Sequence, residues 1–404
     1  MRRGFYFIIF TLFAVFANAT HNRAGEITYR WINGFTYEFT VTTYTKDSAP
    51  ADRCELTVDF GDGSSSVFSR TNGSSGTCSS PARMGEALAN DVRKNVYIGQ
   101  HSYQAPGFYT ISMQDLNRNG GINNIPNSIN IPFYITTTLL VDQSVGTNSS
   151  PTLNYPPIDN GCTFKKFIHN PSAFDPDGDS LYYSLIDCKG LLGTNITETY
   201  NPSFIQDQVT IDSLTGDFIW DVPKNVGQFN FAILIQEYRK GSNGIWRLVG
   251  AVTRDFQVDI KPCQNQPPKL DPVGPFCVIA GDQLQFLVSA QDPDLNNIRL
   301  TLEGYGGPFQ TNPSAIFPKK ESLGSSVSQT FTWNTTCNLV RSQPYYAQFK
   351  VEDQPINQVQ ALTVSLVIDS GSNSTDFICC RCWGNWSWFE LQVGAPTKWN
   401  GQEY

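Results

Sequence analysis

Hydrophobic and polar residues alternate with a period of two along most of the chain. Tyr37, Phe39 and Val41 interleave with Glu38, Thr40 and Thr42, and the pattern returns in Leu56, Val58 and Phe60, in Tyr109, Ile111 and Met113, and in Phe229, Phe231, Ile233 and Ile235. Farther on come Leu284, Phe286 and Val288, then Phe331 and Trp333, then Ala347, Phe349 and Val351, and finally Leu362, Val364 and Leu366. Successive side chains of a strand point to opposite faces, so each run predicts a half-buried β-strand. Turn residues separate the runs. Asn33-Gly34 suits a tight hairpin because both residues accept a positive φ. Gly61-Asp62-Gly63, Pro106-Gly107 and Gly241-Ser242-Asn243-Gly244 mark further turns. Many short strands with recurring turn signals predict an all-β fold of stacked sheets.

The two ends break this pattern. Arg2 and Arg3 precede an apolar run from Phe5 to Phe16, and Ala17-Asn18-Ala19 has the small-x-small form of a signal-peptidase site. The run is too short for a membrane-spanning helix, which needs about 20 residues. Residues 1–19 are therefore expected to be a signal peptide, with the mature chain beginning near Thr20 and carrying no transmembrane span. The expected units are 20–142, 143–262 and 263–368. Asn148 to Pro157 is a Pro/Ser/Asn-rich linker, and Asn265-Gln266-Pro267-Pro268 is a semi-rigid one. Residues 369–404 form an irregular Cys/Trp-rich tail, read as the remnant of a further repeat in preference to a short sticky end.

Composition narrows the class. Only 16% of residues are charged and 13% are aromatic, which favours strands and turns over helices. Without Arg2 and Arg3, 26 basic residues face 36 acidic ones, so nothing favours a nucleic-acid partner. Ten cysteines in a chain read as exported argue for disulfides. They fall in local groups, which pair Cys54 with Cys78, Cys162 with Cys188 and Cys277 with Cys337. Cys263 is left over, and Cys379, Cys380 and Cys382 in the tail are unassigned. Each bridge would close a loop of roughly 25–60 residues, worth about 3–4 kcal/mol on the chain-entropy model. None of the spacings has the two close pairs of a structural zinc site.

Two resemblances follow from the motifs. Val58-Asp59-Phe60-Gly61-Asp62-Gly63, followed by His101-Ser102-Tyr103-Gln104-Ala105-Pro106-Gly107-Phe108-Tyr109-Thr110-Ile111, resembles a PKD domain, with a Gly/Ser-rich insertion from about Ser64 to Asn95. The pairing of Asp175-Pro176-Asp177-Gly178-Asp179 with a Thr215-Gly216 turn and Trp220 resembles cadherin-like and Ig-like repeats of bacterial surface proteins. Ala290-Gln291-Asp292-Pro293-Asp294 repeats that acidic turn in shortened form. Gly25-Glu26-Ile27-Thr28-Tyr29-Arg30 and Phe331-Thr332-Trp333-Asn334-Thr335-Thr336-Cys337 are similar to segments of large exported proteins of gliding Bacteroidota. Those proteins close on a gliding-motility-associated sorting domain, which is not recognised in this sequence. The resemblance implies tandem immunoglobulin-like β-sandwich modules, secreted or at the cell surface, that adhere, display or space without catalysis. Surface glycans or other cell-surface proteins are the implied partners. The alternative is a carbohydrate-binding accessory module of a secreted hydrolase system.

Candidate chemistry is sparse. Asp175, Asp177 and Asp179 are candidate calcium ligands, because Ca2+ takes six to eight oxygens and Gly178 permits a tight bend. An EF-hand is excluded, since position twelve counted from Asp175 is Ile186. The other reading is a solvated Asp-Gly turn whose carboxylates cap backbone N–H groups. No further cofactor is indicated. Asp59 and Asp62 read as turn-formers. The three histidines, His21, His101 and His169, read as packed or capping groups, and no Gly-x-Ser-x-Gly, His-Glu-x-x-His or P-loop is present. Trp220, Trp246 and Trp333 are expected in sandwich cores, and Trp31 beside the first turn is open to a surface role.

Overall fold

A computed structural model describes residues 22–49, 53–73, 84–88, 91–263, 266–294, 299–354 and 359–369. The expected signal peptide at 1–19, the tail from 370 to 404 and Cys78 lie outside the described residues. The first unit contains β1 (Asn22–Asn33), β2 (Thr36–Lys46), β3 (Glu55–Asp59), β4 (Ser65–Ser69), β5 (Glu86–Leu88), β6 (Val92–Ser102), β7 (Gly107–Asp115) and β8 (Phe133–Val141). One layer runs β4-β3-β7-β8 and the other β1-β2-β6-β5. Their inward positions are the alternating residues of the sequence: Phe39, Val41, Val58, Phe60, Ile111 and Ile135 share one core. The two halves of the PKD-like motif pack on each other. His101 stacks on Phe60 with ring centroids 4.0 Å apart and its Nε2 lies 2.7 Å from Asp62 Oδ2. Tyr103 donates to the Phe60 carbonyl oxygen at 3.2 Å. Asp59 and Asp62 form the turn, accepting from the backbone N–H groups of Gly61 and Ser64. Gly61 is held at φ +75, and a Cβ there would lie 2.5 Å from the Thr110 carbonyl oxygen.

The second unit comprises β9 (Thr152–Leu153), β10 (Ile158–Cys162), β11 (Phe167–His169), β12 (Ala173–Phe174), β13 (Ser180–Ile186), β14 (Val209–Ile211), β15 (Phe218–Trp220), β16 (Gly227–Lys240) and β17 (Trp246–Lys261). Its sandwich packs β13, β16, β17 and β10 against the three-stranded sheet β11-β15-β14. Phe218, Trp220, Phe229, Phe231, Phe256 and Val258 fill the space between them. β16 and β17 form a long hairpin, and β17 then does more than its own unit requires. It pairs with β8 through Gly250, Ala251 and Val252 and with β1 through Gly25 and Asp255. The first two units therefore share one 12-stranded sheet.

This sharing explains a burial pattern that alternation alone does not predict. Every residue from Val249 to Val258 is buried. Thr253, Asp255, Gln257 and Asp259 would make the wet face of an isolated hairpin, yet residues of the first unit cover it. Arg118, in the loop between β7 and β8, reaches both oxygens of Asp255 at 3.0 and 2.6 Å. Arg23 on β1 bonds Asp259 at 2.6 Å. Arg254 pairs with Glu26 at 3.0 Å, again fully inside. A small apolar cluster of Ile122, Ile125, Cys188, Ile196 and Ala232 completes the junction.

The third unit has β18 (Lys269–Leu270), β19 (Phe276–Ile279), β20 (Gln283–Gln291), β21 (Arg299–Gly306), β22 (Lys320–Leu323), β23 (Ser326–Asn334), β24 (Tyr345–Gln354) and β25 (Val359–Asp369). Its sheets are β18-β20-β23 and β19-β25-β24-β21-β22. Phe331, Trp333, Phe349, Leu300 and Leu302 lie in its own core. Tyr155 of the second unit meets Tyr305 edge-on at 5.1 Å, and the Lys350 ammonium lies 5.2 Å from the Tyr155 ring.

Two expectations are corrected. Cys162 is bonded to Cys263, not to Cys188. β10 runs parallel to β17 with Cys162 opposite Lys261, which brings Cys263 alongside, whereas Cys188 is a buried free thiol in the junction cluster. Cys54, Cys277 and Cys337 are each disulfide-bonded. Trp246 is not in a core: it starts β17 at the hairpin tip, 41% exposed, while Trp220 and Trp333 are fully buried.

Candidate functional site

The acidic turn lies between β12 and β13, with Gly178 at φ +86. Its three aspartates have different fates. Asp175 Oδ1 accepts from the Asp179 backbone N–H at 2.8 Å, closing the turn. Asp177 accepts from the Ser149 backbone N–H at 2.6 Å, tying the turn to the linker. Asp179 is gripped by the Arg239 guanidinium, whose Nε lies 2.7 Å from Oδ1 and whose Nη2 reaches Oδ2 at 2.5 Å.

Arg239 comes from β16, and two residues before it on the same face stands Glu237. One carboxylate oxygen each from Asp175, Asp179 and Glu237 lie within 4.8 Å of one another. Asp175 is 1% exposed and Glu237 fully buried. Asn148 bridges the group: its Nδ2 donates to Glu237 Oε2 at 2.6 Å and to the Tyr29 hydroxyl at 2.9 Å, while its Oδ1 accepts from Arg239 at 2.7 Å. Tyr29 belongs to β1, so the cluster sits where the two units meet. Gly250, opposite Glu237 in the ladder, leaves room for it, since a Cβ there would come within 2.7 Å of Glu237 Oε1. Burial, with neighbouring aspartates adding to it, pushes the Asp175 carboxyl up to about 7 and Glu237 well above the usual carboxylate range.

The structure brings two of the three predicted ligands together and leaves Asp177 engaged with Ser149. Glu237, Arg239 and Asn148 escape a motif search because they are distant in sequence. One signal points to Glu237: it continues the apolar face of Phe229, Phe231, Ile233 and Ile235, where a carboxylate demands a partner. The shortened turn is simpler. Asp294 N–H donates to Asp292 at 2.8 Å, and Asp294 accepts from the Gln266 backbone.

The remaining polar groups are engaged in packing. His169 stacks on Phe256 at 4.7 Å, with its Nδ1 3.9 Å from Asp159. Burial pushes the Cys188 thiol well up, which opposes thiolate formation. His21 lies outside the described residues. Trp31, at the first hairpin, is 37% exposed and its indole N–H donates to the Gly34 carbonyl oxygen.

The chain is a set of immunoglobulin-like β-sandwich units. No family profile matches it, and no curated protein is similar to it in sequence. Among solved structures, a chimeric titin Z1Z2 carrying a KLER peptide from decorin is similar over 56% of this chain and 100% of its own, at 9% identity and a TM-score of 0.18. Human protocadherin-24 EC1-2 covers 55% of this chain and 100% of its own, at 14% identity and a TM-score of 0.18. Drosophila N-cadherin EC1-4 covers 78% of this chain and 68% of its own, at 10% identity and a TM-score of 0.20. No helix among the described residues is long and apolar enough to cross a membrane.

Proposed function

We propose that this chain is a non-catalytic, exported protein whose sandwich units hold and space a surface for adhesion or display, in a setting like that of gliding Bacteroidota. The observation that carries this reading is the build of the joints. β17 belongs to the sheet of two units at once, and the Cys162–Cys263 disulfide clamps the exit toward the third. Tandem units on loose linkers would leave each sheet self-contained. Disulfides persist in oxidising compartments, which supports export. Protease shaving and antibody labelling of intact native cells, with a deletion strain scored for attachment, test the proposal. Surface accessibility and weakened attachment are the expected results; a protein confined to the cytoplasm with reduced thiols would refute it. The exposed indoles of Trp31 and Trp246 support glycan stacking as a second reading. Glycan-array binding lost in Trp31→Ala or Trp246→Ala would favour it.

A further inference from the structure

We propose that Asp175, Asp179 and Glu237 form a divalent-cation site of the calcium class that fastens the acidic turn to the central β16–β17 hairpin beside the first unit. The donor set is all oxygen and anionic, which suits hard cations over zinc or copper. An ion with oxygens at about 2.3–2.6 Å bridges donors up to about 4.6–5.2 Å apart, and these three lie within 4.8 Å of one another.

Acidic residues alone are weak grounds, because a carboxylate cluster is often satisfied internally. Here the internal accounting leaves a remainder. Arg239 neutralises Asp179 and spends its other donors on Asn148 Oδ1 and the Thr147 carbonyl oxygen. Arg341 donates to the backbone oxygen of Asp175, not to its carboxylate. Glu237 Oε2 has Asn148 and Asp175 Oδ1 has the Asp179 N–H. The other two oxygens, Asp175 Oδ2 and Glu237 Oε1, are buried with no partner among the described residues. They belong to side chains 1% and 0% exposed, so bulk water does not satisfy them. A carboxylate has about four lone-pair directions, which leaves Asp179 able to bind an ion while keeping Arg239. Asp177, exposed at the rim, adds negative charge without being a ligand.

The test uses the whole mature chain stripped with chelator, titrated with calcium or magnesium by calorimetry and melted with each ion. One calcium should bind, and calcium at about 100 times its dissociation constant should raise the block's midpoint by about 5–10 °C. Glu237→Gln keeps the shape and Asp175→Asn the turn; each should weaken binding at least tenfold and abolish the rise. Asp282→Asn, in the third unit, should change neither. Should the variants fail to fold, the wild-type titration still decides. No binding heat and an unchanged midpoint with either ion overturn the proposal, with the two oxygens then satisfied by protons. Calcium binding that survives Glu237→Gln also overturns it, by placing the ion elsewhere.

Discussion

Arg118→Met tests whether the first two units are one cooperative block. Both partners of its ion pair are inside, with side chains 0% and 1% exposed. The guanidinium also donates to the Lys189 carbonyl oxygen at 2.8 Å and lies 5.0 Å from the Phe133 ring. Methionine keeps the apolar contact with Phe133 and removes the charge, leaving Asp255 with two neutral donors, Asn230 Nδ2 at 2.9 Å and the Cys188 thiol. Breaking a buried pair from one side costs about 3–5 kcal/mol, and the two surviving neutral donors place the loss at about 4 kcal/mol. For a block of this size, where each kcal/mol is worth about 2–4 °C, the midpoint should fall by about 8–16 °C. Thermal melts followed by circular dichroism read this directly. Arg118→Met/Asp255→Leu should recover most of the loss, because two apolar groups leave no stranded charge. Arg30→Met, removing a pair whose arginine side chain is 64% exposed, should leave the midpoint in place. A loss below about 1 kcal/mol in Arg118→Met, or a double variant as unstable as the single one, would refute the reasoning.

Other outcomes are equally specific. Non-reducing peptide maps should join Cys162 to Cys263, and Cys263→Ser should cost about 4–5 kcal/mol because the bridge spans 101 residues; a map joining Cys162 to Cys188 would contradict the fold. Trp220→Ala, emptying a site walled by Phe229 and Phe231 at 4.8 and 5.4 Å, should cost about 3–5 kcal/mol, whereas Trp246→Ala should stay within about 0.5 kcal/mol in the same urea titration. His169 should make the protein acid-sensitive: burial lowers its pKa below the ordinary 6.5, with Arg254 and Lys350 adding to this and Asp159 opposing. Below 6.5 the unfolded chain then binds a proton that the folded chain refuses. Stability should fall with decreasing pH by up to about 1.4 kcal/mol per unit. His169→Phe should remove that part of the slope, and a wild-type-minus-variant difference that is flat with pH would exclude it.

The period-two pattern marked strands wherever one sheet face is dry, as in β2, β3, β7, β16, β20 and β24, because burial of that face is what alternation records. It could not record what covers the other face. Thr253, Asp255, Gln257 and Asp259 carry polar groups that ordinarily meet water, and the segment covering Asp255, around Asn117-Arg118-Asn119, has no periodicity of its own. The same limit misled the cysteine pairing. Proximity in sequence favours Cys162 with Cys188, but the parallel register of β10 on β17 closes a distance of about a hundred residues that no local spacing reports. Trp246 was indistinguishable from Trp220 by its strand context, and differs because its strand runs past the sheet into a free hairpin tip.

What local patterns do retain is where the alternation breaks. Glu237 continues an apolar face, and Arg254 and Asp255 stand side by side in a run of ten buried residues. A charge placed there in an isolated sandwich would lack a partner, and burial without one costs several kcal/mol. At Arg254 and Asp255 the complementary group comes from a second surface. Arg254 finds Glu26 and Asp255 finds Arg118, both across the boundary expected at 142/143. Asn148, in the linker, holds Glu237 and Tyr29 together. Glu237, Arg254 and Asp255 fall on one junction, whereas Asp115 and Asp353 continue apolar faces within the first and third units.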